Sequence, residues 1–222
     1  VRGCTNYGAV DADLNVGGIA GAMAIEYELD PEGDQKESSS VFDRVYETKA
    51  VVQHCVNRGS ISGKKDCIGG IVGEMDLGIV LSCEAYGSAR SETGSYVGGI
   101  AGQLRIDGTL TGNGDTTNSG AVTIEQMEYS TEDIVAVGGV VGQQLGKVSN
   151  TVNSGAVTVS ASPAAGGTIA WKVRCAGGIS GLLGEIGKSY AEASVAGSKN
   201  LALVKQERTT VRSNGMPAYV GG

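Results

Sequence analysis

A six-residue segment, Val97-Gly98-Gly99-Ile100-Ala101-Gly102, recurs along the whole chain, and this recurrence restricts the fold more than any other feature. Val16 to Gly21 reads VGGIAG, Ile68 to Gly73 IGGIVG, Val137 to Gly142 VGGVVG and Ala176 to Gly181 AGGISG. The chain ends at Val220-Gly221-Gly222, inside a sixth copy. Measured between the first glycines of the copies, the units run from 29 to 52 residues. A helical repeat would lose its phase under such variation, whereas a β-coil releases extra residues at a corner as a loop. The sequence therefore predicts one elongated all-β domain over 1–222, a parallel β-solenoid of about five to six GG[IV]xG repeats with hairpin and loop insertions. Its units are 1–21, 22–73, 74–102, 103–142, 143–181 and 182–222.

The motif carries its own geometric constraint. Val97 and Ile100 are three apart and would face opposite sides of a flat strand, yet both recur as aliphatics. Either the Gly-Gly pair is a bend that turns both inward and lets coils approach closely, or the segment is a strand buried on both faces. On either reading Gly17, Gly18, Gly69, Gly70, Gly98, Gly99, Gly138, Gly139, Gly177 and Gly178 are structural residues.

A second motif accompanies the first: Cys4-Thr5-Asn6-Tyr7-Gly8, Cys55-Val56-Asn57-Arg58-Gly59, Cys83-Glu84-Ala85-Tyr86-Gly87, Asn118-Ser119-Gly120 and Asn153-Ser154-Gly155. Asn and Gly at this spacing read as a turn, with Asn bonding locally and Gly supplying a positive φ, and a strand following at once. The sixth copy is expected at Tyr190 to Val195, without its glycine. A third element, Gly78 to Cys83 and Gly146 to Asn150, leads into the turn, so each coil has about three short strands. The stretch from turn to glycine motif lengthens along the chain, and in the later units it reads as a hairpin: Val157 and Val159, a turn at Ser162 to Gly167, then Ile169, Trp171, Val173 and Cys175. Residues 26–50, rich in Asp, Glu, Lys and Ser, read as an exposed loop with a short helix around Val41 to Thr48.

Composition agrees with thin layers of small aliphatics. Glycine is 37 of 222 residues, with one Phe and one Trp, so the chain lacks the aromatics on which a compact core draws for buried area. The net charge of −7 and the absence of a Lys/Arg block leave no nucleic-acid footprint. No apolar run approaches the roughly 18 residues of a membrane-spanning helix. The chain begins with Val1 and starts and stops inside repeats, so the sequence reads as part of a longer protein.

The combination VGG[IV]xG, GxIxNC and NxGxV resembles the GLUG repeat of bacterial secreted and cell-surface proteins, named from the non-catalytic part of certain immunoglobulin A proteases. The five units cover essentially the whole chain. The departures are Ile or Val where the family name has Leu-Val, the long insertions and the altered sixth turn. The resemblance implies an extracellular β-solenoid, often within a very large surface protein of Gram-positive, frequently gut-dwelling bacteria. It implies no catalytic residues and no cofactor.

Chemistry-bearing residues are few. Cys4, Cys55 and Cys83 share one motif position, and Cys67 and Cys175 another, so each set predicts an interior column. They serve either as small buried hydrophobes or, for the candidate pair Cys55 and Cys83, as a disulfide between neighbouring coils about 4.8 Å apart. His54 adjoins Cys55, but consecutive strand residues face opposite sides, which separates nucleophile from base. Asp30, Glu32 and Asp34 are candidate Ca²⁺ ligands without the full spacing of a calcium loop, and Asn113, Asp115 and Asn118 form a second polar cluster. Tyr7, Tyr86, Tyr96 and Tyr219 sit at turns or motif edges, where they either line a glycan-binding groove or cap a thin core.

Three function classes follow. The first is a non-catalytic structural or adhesive module, self-associating or continuous with neighbouring domains, on the bacterial surface or secreted. The second is a glycan-binding module that contacts host or cell-wall glycans. The third, a β-helix polysaccharide lyase or hydrolase, needs Asp, Lys or Arg clustered on neighbouring coils. The repeated positions are instead Gly, Ala, Val, Cys and Asn, which disfavours an enzyme.

Overall fold

The structure, a computed structural model, describes residues 1–24, 50–126, 134–161, 173–188, 193–206 and 218–222. The expected loop at 26–50 with its short helix, the turn at 162–167 and the acidic residues Asp30, Glu32 and Asp34 lie outside them. The described chain forms three parallel sheets and, among the described residues, no helix.

One coil shows the path. After the short strand Glu84–Ala85 the chain turns into Ala89–Ser91, turns again into Tyr96–Gly98, bends, and runs back along Ala101–Asn118. The first wall is a 12-stranded sheet holding the return strands and the asparagine strands. The second wall stacks Val10–Ala12, Ile61–Gly63, Ala89–Ser91, Val122–Gln126, Val157–Ala161 and Val204–Gln206. The third stacks Val16–Gly17, Ile68–Gly69, Tyr96–Gly98, Ile134–Gly138, Val173–Gly177 and Ala218–Gly221. Neighbours within these two walls follow sequence order and every pair is parallel, so the chain is a monotonic parallel β-solenoid. The truncated sixth motif joins in register, with Val220 beside Ala176 and Gly221 beside Gly177.

The Gly-Gly pair is a bend. The third-wall strand ends at Gly98, the first-wall strand starts at Ala101, and Val97 and Ile100 are both fully buried. They enter different clusters. Val97 packs with Ile68, Val137 and Ala176, and with Ile61, Val122 and Val157 of the second wall. Ile100 packs with Ile71, Val140, Met75 and Leu104 beneath the first wall. A Cβ on Gly98 would stand 1.9 Å from Ala101 O, so the corner closes only on a bare Cα.

Three expectations change. The turn glycines do not take a positive φ; they are glycines because coils touch there, a Cβ on Gly120 standing 1.9 Å from Gly87 O. The sixth turn is not at Tyr190 to Val195: Ser194 pairs with Lys147 as a lead-in strand, and Asn200 pairs with Asn153, with Ala202 in the glycine's place. The long insertions do not open with antiparallel hairpin pairs. Val157–Ala161 and Val173–Gly177 belong to different walls, and all their partners are parallel. The extra residues lengthen both walls from about three to five residues at their common corner.

Candidate functional site

The recurring polar residue is asparagine, and it points inward. Asn118 Oδ1 accepts from Gly120 N–H at 3.2 Å, while its Nδ2 donates to Gly120 O at 3.0 Å and to Asn153 Oδ1 at 2.8 Å. Asn153 repeats the pattern towards Asn200, and Asn6 towards Asn57. Asn57, Asn118 and Asn153 are fully buried, and each bonds both the N–H and the C=O of its turn glycine and at least one neighbouring amide, which is how a polar column is tolerated in a core. Ala85 interrupts the ladder in the third coil. Asn118 was read as one of a surface cluster with Asn113 and Asp115; the structure separates them, since Asp115 is exposed and accepts from the backbone N–H of Asn113.

The cysteine column is a donor column. Registers place Cys55, Cys83, Thr116 and Thr151 at one position, each buried. Cys55 Sγ donates to Gln53 O and Cys83 Sγ to Leu81 O, both at 3.3 Å; Thr116 Oγ1 donates to Thr111 O at 2.6 Å, the equivalent carbonyl. What recurs is a small side chain with one donor beside a left-handed residue, namely His54 (φ 53°), Ser82 (φ 51°) or Asn150 (φ 52°). Cys4, expected inside, is exposed because it lies on the first coil. Cys55, Cys67, Cys83 and Cys175 are buried, and all five cysteines are thiols here. Burial pushes the Cys83 thiol up to about 11 against backbone hydrogen bonds that lower it, and raises Cys67 and Cys175 as well.

His54 is exposed while Cys55 is buried, so the two stay apart; the cause is the left-handed turn at His54 rather than strand alternation. The same turn position brings His54 close to Ser82 and Asp115, a grouping the sequence reading missed. A hydrogen bond from Ser82 holds the Asp115 carboxyl below the usual range, with a smaller contribution from His54. The order is wrong for a hydrolase triad, because Ser82 bonds the carboxylate directly and no imidazole stands between them. Among the described residues no group of three or more His, Cys, Asp or Glu is placed to hold a metal ion.

The tyrosines divide between two corners. Asn6, Asn57 and Ala85 are in register, so the next residues, Tyr7, Arg58 and Tyr86, form one outer column where the first wall turns into the second. The Arg58 guanidinium lies 4.6 Å from the centroid of the Tyr86 ring, and the Tyr86 hydroxyl donates to Glu84. That bond, and the charge of Glu84, raise the Tyr86 phenol. Tyr96 and Tyr219 align instead with Ala136 and Cys175 on the third wall. The four tyrosines therefore form no single groove. The middle residue of the Asn-x-Gly turn, compared across copies, carries the signal for the first column.

Charges on neighbouring first-wall strands, Val72–Leu81 and Ala101–Asn118, also meet. Arg105 Nε lies 2.9 Å from Asp76 Oδ1, and Arg105 Nη2 lies 2.9 Å from Glu74 Oε1. Burial raises the Asp76 carboxyl, Glu74 adds to this, and Arg105 opposes both. Asp76 and Arg105 edge a cleft of about 560 Å³ with Ile106, Asp107, Leu145, Glu185 and Lys188. This is a cluster on neighbouring coils of the kind the sequence reading found wanting, but the Arg105 guanidinium already bridges two carboxylates.

No protein-family model, no curated protein and no solved structure matches the chain.

Proposed function

We propose that this chain is a non-catalytic structural or adhesive repeat module of an extracellular bacterial surface protein or filament, as its resemblance to GLUG repeats implies. The observation that carries the reading is the use made of the repeated residues. The asparagines, most turn glycines and the Gly-Gly bends bond or touch the coil above or below. Selection acting on such positions maintains a stack. The stack is polar, since Asn6, Asn118 and Asn153 each donate Nδ2 to the Oδ1 of the following coil. A further coil placed on the last described one, from this chain or another, would continue the ladder from Asn200 and cover Leu183, Val195 and Val220, which are exposed. Partners on this reading are copies of the chain or neighbouring domains.

The test is shape and activity of the full-length protein. Sedimentation and negative-stain microscopy should find a rod or fibre, and a compact globular particle would refute the reading. Incubation with soluble polysaccharides should release no product; release of unsaturated or reducing ends would replace it with an enzyme.

A further inference from the structure

We propose that the Tyr7–Arg58–Tyr86 corner is a binding site for an oligosaccharide that carries a carboxylate. The inference goes beyond the structural reading, and its failure would leave that reading standing.

The first ground is that the fold does not require these residues. The same turn position holds Ser119 and Ser154 in later coils, whose hydroxyls bond each other at 3.1 Å, and the coils there stack in the same register. Two tyrosines and an arginine are thus an addition confined to the first three coils.

The second ground is chemistry left available. Tyr7 is 76% and Tyr86 42% exposed, large apolar faces presented to water. Arg58 is exposed, and no carboxylate of the described residues lies within 4 Å of it. Its guanidinium carbon lies 4.6 Å over the Tyr86 ring, and with no ion pair among the described residues its N–H groups are available for bidentate capture of a carboxylate. The Tyr7 and Tyr86 turns are two coils apart, roughly 9.6 Å at the parallel-strand spacing, so their rings can each take the C–H face of a sugar while Arg58 takes the acid between them.

The third ground is preorganisation. Glu84 tethers the Tyr86 hydroxyl, Tyr86 holds the guanidinium, and the in-register turns fix the spacing, so little ordering remains to be done on binding. The net charge of −7 and the adjacent Glu84 select against a densely charged polyanion such as single-stranded nucleic acid, which Tyr and Arg would otherwise suit. A saccharide with one carboxylate among neutral faces fits both the charge and the rings. A hexuronate and a sialic acid share this chemistry.

The test uses the 222-residue chain, with a singly charged aldotetraouronic acid (glucuronosyl xylotriose), sialyllactose and neutral cellotetraose as probes in titration calorimetry and ligand-observed NMR. At least one acidic probe should bind saturably, and cellotetraose about tenfold more weakly or not at all. The two acidic probes tell hexuronate from sialic acid. Arg58→Gln should weaken acidic binding about tenfold and Tyr7→Ala several-fold, while Ser154→Ala binds like the parent. All three sites are on the surface, and thermal melts confirm folding; should Arg58→Gln fail to fold, Tyr7→Ala decides. The proposal is overturned if neither acidic probe binds, if cellotetraose binds equally well, if the folded Arg58 or Tyr7 variant binds like the parent, or if an oligothymidylate displaces the saccharide at equal concentration.

Discussion

Asn118 occupies the space that Gly99 leaves empty. A Cβ on Gly99 would stand 2.3 Å from Asn118 Cγ and 2.2 Å from Gly139 O of the next coil. The carboxamide so seated reaches Asn153 at 2.8 Å. The same relation joins Gly18 to Asn57, Gly139 to Asn153 and Gly178 to Asn200. The two sequence motifs are therefore one device: the second glycine of the bend makes room for the asparagine of the turn that follows, and the asparagine ties the coil to its neighbour.

Glycines at one motif position should differ in their tolerance. A Cβ on Gly120 would stand 1.9 Å from Gly87 O and 2.5 Å from Gly87 C, and these are backbone atoms of the preceding coil that cannot swing aside. Gly8, the equivalent residue of the first coil, has only Asn6 Oδ1 at 3.7 Å, an ordinary contact. Gly120→Ala should cost on the order of 3 kcal/mol or prevent folding, while Gly8→Ala should stay within about 0.5 kcal/mol. Chemical denaturation of both variants checks this, and equal losses would refute the close-approach account.

Thiol accessibility should split the cysteines. Cys4 is exposed and the other four are buried. With the Cys83 thiol pushed up to about 11, little of it is thiolate at pH 8. Iodoacetamide at pH 8 should label Cys4 alone in the native protein and all five in denaturant, as read by mass spectrometry. The raised folded-state value also has a thermodynamic sign. Between the ordinary thiol value of 9.0 and about 11 the folded state holds a proton that the unfolded state has lost. Stability should thus be unaffected by Cys83 below pH 9 and fall through that window, by about 1–3 kcal/mol for this residue.

Arg105 bridges Glu74 and Asp76, and its loss should be felt through pH. Burial and Glu74 already raise Asp76, and removing Arg105 raises it further. A carboxyl raised in the folded state favours folding while protonated and loses that contribution as pH rises through its folded value. Arg105→Gln should therefore destabilise by about 1 kcal/mol at pH 7, a modest figure because the Arg105 side chain is half exposed, with the deficit shrinking as pH falls towards 4. Urea midpoints at pH 4, 5.5 and 7 test it; a deficit independent of pH would show that Arg105 acts by packing alone.

The glycine motif made the coil legible because its constraint is steric and local, so unequal spacing did not hide it. Val97 and Ile100 could be placed inside because both positions recur as aliphatics. The asparagines were read only as turn residues, because a ladder is a relation between coils, and Asn118 and Asn153 show it only once coils are set in register. The sixth turn was misplaced because Ala202 stands where a glycine was sought, while Asn200, the residue that does the bonding, was present. The Tyr7–Arg58–Tyr86 column was missed because the tyrosines were sorted by residue type rather than by register, and Arg58 went unnoticed between them.

The gap at Ala85 yields the most direct test of the ladder. Asn57 Nδ2 donates to Gly59 O at 2.9 Å and meets no acceptor in the third coil; Asn118 Oδ1 accepts from Gly120 N–H and meets no donor there. An asparagine at 85 would take both. Its space exists, because Gly70 faces Ala85 as Gly99 faces Asn118, and Gly87 offers the same turn N–H and C=O as Gly59 and Gly120. Ala85→Asn should stabilise by about 1–2 kcal/mol, the net worth of two added interamide bonds once desolvation of the new side chain is met. Asn153→Ala should cost about 2–4 kcal/mol, because it strands a donor on buried Asn118 and an acceptor on half-buried Asn200. Thermal and urea denaturation of the two variants reads the ladder from both sides. If Ala85→Asn is destabilising while Asn153→Ala is severe, the amide column is a constraint the fold tolerates for register; if both follow the expected signs, it is a source of stability that the third coil has lost.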